Sequence, residues 1–194
     1  MDRRRVGGPE DVVNVLIRRA QDSDWNGISD VCADAGAAGE PVDAAERETF
    51  TAHWIGPYRE LRPDWTWVAA SEGKVVGYLT GAPDTLDFEK ERRRVFNPPP
   101  DSRDFFSPAI RLKLWTEHPA HLLMNVATDF RGMGLGSKLL QAFFADLRRR
   151  KVPSAHLICG PASYPFFERM AFRAEAVVSP APGLILRAMT RPAD

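Results

Sequence analysis

The sequence predicts a mixed α/β (α+β) fold, a central sheet of about seven strands with helices on its faces. Three observations carry the prediction. Short β-rich runs alternate with stretches of helical periodicity along the chain. Two of those runs, in DWTWVAASEGKVVGYLTG (64–81), flank the turn residues Glu72 and Gly73 and read as a hairpin. A third, HLLMNVAT (121–128), runs through a glycine-rich turn into an amphipathic helix.

The elements follow in chain order. Residues 1–12, with Arg3, Arg4 and Arg5, read as a flexible N-terminus. VNVLIRRA (13–20) alternates Val13, Val15 and Ile17 on one side and reads as a strand. DSDW then offers N-cap residues for a helix through NGISDVCADAG, whose Ile28, Val31 and Cys32 share a face. A second helix spans 43–55 and is ended by GPY (56–58). After the hairpin, 82–120 reads as an insertion within one domain of 194 residues. It holds a charged helix in FEKERRRVF and a short helix over 110–115. NPPPDS separates them, because proline lacks the amide donor and clashes with the preceding turn.

Beyond the strand at 121–128, Leu135, Leu139, Leu140, Phe143, Phe144 and Leu147 recur at helical spacing. RRRK (148–151) ends that helix with cations that complement the negative end of its dipole. SAHLIC (154–159) is a strand and YPFFERMAF (164–172) a short helix. RAEAVV and GLILRAM are two closing strands joined by SPAPG.

Composition narrows the function classes. A hydrophobic content of 44% predicts a folded globular chain. The formal net charge is zero, which argues against a nucleic-acid partner. The absence of a long apolar run and of a signal-peptide core argues against a membrane. Cys32 and Cys159 lie in no metal or redox spacing, so a cytoplasmic protein with reduced thiols and no metal is expected.

The chemistry concentrates in VATDFRGMGLGSKLL (126–140). The first amides of a helix have no intrahelical acceptor, and the dipole there favours an anion. Gly132, Gly134 and Gly136 allow close backbone approach; Arg131, Ser137 and Lys138 add charge and donors. The arrangement suits a phosphate or pyrophosphate. It is not the dinucleotide fingerprint, whose third glycine falls on Ser137 in one register and Leu139 in the other. Nor is it a P-loop, because Lys138 follows Ser137 and precedes Leu139.

What remains is Arg131-x-x-Gly134-x-Gly136 after a strand and opening a helix. This resembles motif A of the GCN5-related N-acetyltransferase (GNAT) superfamily. YPFFERMAF is similar to that family's second signature, lYeklGF. The order of elements agrees from about Val13 to Met189. The resemblance implies a GNAT fold and acetyl-CoA as cosubstrate. It implies that Arg131, Gly132, Met133, Gly134, Leu135, Gly136, Ser137 and Lys138 hold the pyrophosphate. It also implies a bulged central strand in which Met124, Asn125 and Val126 meet the pantetheine arm. A narrower likeness, through GPYRELRPDW, the charged helix and HPAHLLMNVATDFRGMGLG, is to the acetyltransferase-like domain of O-GlcNAcases and its stand-alone bacterial relatives.

The chain departs from the pattern beside the cofactor. The signature's acidic Tyr falls on Phe167, which has no proton to give; Tyr164 stands three residues earlier and is the candidate acid. Asn125 stands where the subgroup often has Asp, and Thr128 where a proline usually follows the strand. His121 and Asp84 are candidate bases. The expected activity is acetyl transfer to an amine of a small molecule or peptide. The alternative is a weak or inactive pseudo-acetyltransferase that binds acetyl-CoA or CoA as an interaction or sensing module. The closing strands could support a homodimer.

Overall fold

The computed structural model describes residues 14–36, 39–97 and 102–194. The readings of 1–12, of Val13 and of the proline break at 98–100 fall outside these residues. Among the described residues, seven strands form one mixed sheet in the order β1-β2-β3-β4-β5-β7-β6. β1 (Val15–Arg19), β2 (Thr66–Ser71), β3 (Lys74–Ala82) and β4 (Ala120–Val126) are successive antiparallel neighbours. β4 pairs in parallel with β5 (Ser154–Cys159). β7 (Leu184–Pro192) and β6 (Arg173–Ala181) complete the sheet with antiparallel pairing. At the β2–β3 turn, Glu72 and Gly73 both take positive φ, at 50° and 79°, as a two-residue I′ hairpin requires.

One face of the sheet is covered by α6 (Leu135–Arg149), the helix that follows β4. Its whole predicted stripe is buried, against Trp65, Trp67, Leu79, Leu122 and Leu157. Full burial of each such side chain is worth about 1.5–3 kcal/mol. α7 (Tyr164–Arg169) sits beside it and adds Phe167 to the same core.

The other face carries α1 (Trp25–Ala35), α2 (Arg47–Trp54), α3 (Gly56–Leu61), α4 (Thr85–Phe96) and α5 (Pro108–Glu117). Trp25, Ile28, Val31 and Cys32 pack on Val68 and Tyr78. Phe88 packs on Tyr58, and Leu114 on Leu186 and Ala188. Alternation along β4 sends Leu122 to the α6 side and Leu123 to this one.

Local polar groups fix where these helices start. Asp24 accepts from the Gln21 amide at 2.7 Å ahead of α1, and takes two bonds from Arg18 at 2.5 and 2.9 Å. Asp84 caps α4 by accepting from the Asp87 amide at 2.9 Å, so this candidate base has a structural partner.

Several boundaries differ from the sequence reading. α2 begins at Arg47, not 43. GPY does more than end it: Gly56 and Pro57 open α3, because proline in a first helical turn lacks only an amide with no partner there. β4 stops at Val126, and Thr128–Phe130 form a 3₁₀ turn. β6 continues through Ser179 and Pro180 as an edge strand, its register slipping between Val178 and Ala181 where the proline cannot donate.

Candidate functional site

β4 and β5 touch only briefly. They pair at Ala120 with Ala155 and at His121 with His156, and then part. Ala127 donates its amide to Val76 O at 2.9 Å, so its backbone faces β3. By alternation Asn125 also faces β3, while the backbone groups of Met124 and Val126 face the fork. Arg131 Nε donates to Val126 O across that side at 3.0 Å. The expected bulge in β4 is absent: its pairing with β3 runs from Gly77–Val126 to Ala82–His121 without a register shift. The fork opens because β5 diverges, not because β4 kinks.

The glycine turn beyond β4 divides into two kinds of position. Gly132 and Gly134 have φ of 79° and 76°, a left-handed conformation that side chains resist. A Cβ at either would meet nothing within 4 Å, so the space above them is open. Gly136 is different. A Cβ there would lie 2.8 Å from Phe166 Cζ and 3.2 Å from Met124 Cε. Its smallness seats α7 against the start of α6.

The Lys138 amide bonds Gly134 O at 3.2 Å, which leaves the amides of Leu135, Gly136 and Ser137 in the unpaired first turn. Arg131, Met133 and Lys138 are exposed beside it, whereas Leu135 is buried in the core. Ser137 Oγ donates to Met170 Sδ at 3.3 Å, towards α7. A diphosphate fits this start: open space, first-turn amides, the positive end of a helix dipole and two flanking cations.

On the opposite face of the fork lies a cavity of about 60 Å³. α2, α3 and α4 wall it with Trp54, Tyr58, Phe88 and Arg92; β4 and β5 contribute His121, Leu123, His156 and Ile158. His121 is buried, with Nδ1 2.9 Å from Thr85 Oγ1 and Nε2 3.0 Å from Tyr58 Oη. Arg92 and Glu89 form a buried pair with contacts of 2.9 to 3.1 Å. Asn125 Nδ2 donates to Tyr78 Oη at 2.9 Å. Burial drives the Tyr78 phenol well above its ordinary pKa, so it stays protonated. Burial likewise pushes the Cys32 and Cys159 thiols up to about 11, away from nucleophilic thiolate at neutral pH.

Tyr164 and His121 are not brought together. Tyr164 packs with the α6-side core at the start of α7, whereas His121 faces the other layer. Tyr164 Oη donates to Glu168 Oε1 at 3.1 Å, and the Arg187 guanidinium lies 4.2 Å from its ring centre. The Glu168 hydrogen bond and charge raise the phenol pKa. Phe167 turns into the core, 6% exposed, with ring centres of Phe166 and Phe172 at 5.1 and 5.5 Å.

Tyr58 and Thr85 escaped the sequence reading. Reading Gly56-Pro57 as a helix start rather than a stop would have brought Tyr58 forward. Among the described residues, no group of three or more His, Cys, Asp or Glu is placed to hold a metal ion. No helix among them is long and apolar enough to cross a membrane.

Residues 38–172 match the model of the acetyltransferase (GNAT) family. Among solved structures, the chain is similar to SsHAT at 24% identity, covering 93% of this chain and 98% of that one, with a TM-score of 0.77. It is similar to yncA from Salmonella typhimurium, solved with its cofactor acetyl-CoA, at 19% identity, 93% and 94% coverage and a TM-score of 0.60. It is also similar to a ribosomal-protein-alanine N-acetyltransferase from Brucella melitensis, at 24% identity, 91% and 99% coverage and a TM-score of 0.57. At these identities the structural likeness speaks for the fold.

Proposed function

The chain belongs to the acetyltransferase (GNAT) family, and on that premise we propose that it transfers acetyl from acetyl-CoA to an amine of a small molecule or peptide. One observation carries the reading: a parallel strand pair opens into a fork directly beside a helix start with open, left-handed glycines. The amides of Leu135, Gly136 and Ser137, with Arg131 and Lys138, would hold the pyrophosphate. Met133 would lie along the same turn, and the backbone groups of Met124 and Val126 would bind the pantetheine arm as an added strand does. Asn125 would act from its side chain, on the opposite face. Acetyl-CoA supplies an activated thioester carbonyl. Amide groups of β4 aimed into the fork can stabilise the charge that develops on its oxygen.

Tyr164 is the proposed proton donor to the leaving thiolate. Its raised pKa keeps it protonated at neutral pH but makes it a weak acid. A thiolate with a free pKa of about 8.5 also leaves without strong assistance. The test is release of free thiol from acetyl-CoA across a panel of amines. Turnover above hydrolysis with at least one amine is expected; none with any amine would overturn the reading.

The burial of Phe167 and the engagement of Tyr164 by Glu168 favour one second reading, a pseudo-acetyltransferase that binds acetyl-CoA or CoA and acts through a partner. Binding of acetyl-CoA without turnover would select it.

A further inference from the structure

We propose that Tyr58 takes the proton from the acceptor amine and passes its own to His121 behind it. The proposal rests on the transferase reading above and assigns the cavity on the α2–α4 face as the place where the amine is made nucleophilic.

A count of protons fixes the direction of each bond. Thr85 has one hydroxyl proton and two partners. Pro119 O, 2.7 Å away, can only accept, so the proton lies there. Thr85 Oγ1 must then accept from His121 Nδ1 at 2.9 Å. Nδ1 therefore carries the hydrogen, and in the neutral imidazole Nε2 is the acceptor. Tyr58 Oη, 3.0 Å from Nε2, donates to it. A backbone carbonyl thus sets the direction of every bond back to the phenol.

The placement suits the task. His121 is in the last pair before β4 and β5 part, so the phenol stands at the base of the fork. Tyr58 is held by stacking on Phe88, with ring centres 4.8 Å apart and 20° between planes. Around His121 stand Tyr58 from α3, Thr85 and Arg92 from α4, His53 from α2 and His156 from β5, with Glu89 bonded to Arg92. His156 is fixed by its own Nδ1 bond to His118 O at 2.6 Å.

The proton path balances. A bound ammonium gives a proton to Tyr58 Oη as the phenol proton moves to Nε2, leaving a neutral amine and an imidazolium. The amine nitrogen then bonds to the carbonyl carbon, and the C–S bond breaks with its electron pair on sulfur. Tyr164 gives its proton to that thiolate and is reprotonated by the second nitrogen proton, and the imidazolium returns its proton to water. Tyr58 is the catalytic residue; His121 and Thr85 are positioning residues.

The test combines two measurements on the whole protein. The first is steady-state thiol release with n-butylamine, spermidine, an alanyl tripeptide and a lysyl peptide. Tyr58→Phe should lower kcat by about 10²-fold or more, leave the KM for acetyl-CoA unchanged and remove the rising limb of the pH profile. Thr85→Val should lower kcat and Thr85→Ser restore it. The second is imidazole ¹⁵N NMR, which should show His121 in the Nδ1–H form and a shift of Nε2 in Tyr58→Phe. A kcat for Tyr58→Phe within about twofold of the parent at every pH, or an Nε2–H tautomer, overturns the relay alone. No turnover by the parent chain with any amine overturns the transferase reading, and the relay with it.

Discussion

Replacing Gly136 by alanine separates packing from conformation in the glycine turn. The new Cβ would lie 2.8 Å from Phe166 Cζ and 3.2 Å from Met124 Cε. Carbon atoms prefer about 3.5–4.0 Å, so the Phe166 ring must retreat by about 1 Å. It leans edge-on against Phe167, whose ring meets Phe172, so the retreat is felt in the core. Overpacking of this kind costs about 1–3 kcal/mol, while alanine gains at most about 1 kcal/mol over glycine in a helix. The expected net loss is about 1–2 kcal/mol, measured by urea denaturation. Gly134→Ala should lose a similar amount for another reason: nothing crowds it, but its φ of 76° costs a side chain about 1–2 kcal/mol. A double-mutant cycle with Phe166→Leu tells them apart. In that background Gly136→Ala should become neutral or stabilising, while the cost of Gly134→Ala should stay. An unchanged cost for Gly136→Ala with the ring shortened would refute the packing argument.

Further expectations follow from the same geometry. The Arg18 hydrogen bonds hold the Asp24 carboxyl below its ordinary pKa, with the Gln21 amide adding to them against the cost of burial. Its stabilisation is therefore complete above the unfolded value of about 3.9 and is lost as pH falls through the lower folded value. Asp24→Asn should cost about 1–2 kcal/mol at neutral pH and flatten the acid limb of the stability curve; an unaltered acid limb would contradict this. Phe167→Tyr should not restore an acid: it buries a hydroxyl in the core and should lose about 1–3 kcal/mol in thermal unfolding with no rise in kcat. A gain in kcat would mean that the ring reaches the fork. Tyr164→Phe should lower kcat by less than about tenfold, because its phenol is a weak acid; a larger loss would make it essential.

Much of the fold was legible because its signals are local and periodic. The α6 stripe from Leu135 to Leu147 gave a helix and its buried face together. The Glu72-Gly73 turn gave the hairpin. Less legible were features set by tertiary contact. Gly136 looks like its neighbours in sequence, yet only the approach of Phe166 reveals its reason. The fork depends on how far β5 runs beside β4, which neither strand's pattern encodes. Tyr58 and Thr85 matter through His121, 63 and 36 residues away in sequence, and no spacing rule joins them. His121 is legible in the sequence as a candidate base; its contacts with Thr85 and Tyr58 are not.

Calorimetric titration with acetyl-CoA asks whether the helix start and the fork hold the cosubstrate. The parent chain should bind, and Gly134→Glu should not. The carboxylate would fill the open space above that glycine and repel the diphosphate, although the circular dichroism spectrum should stay that of a folded chain. Absence of binding by the parent chain, or unaltered affinity in Gly134→Glu, would mean that this turn does not hold the diphosphate.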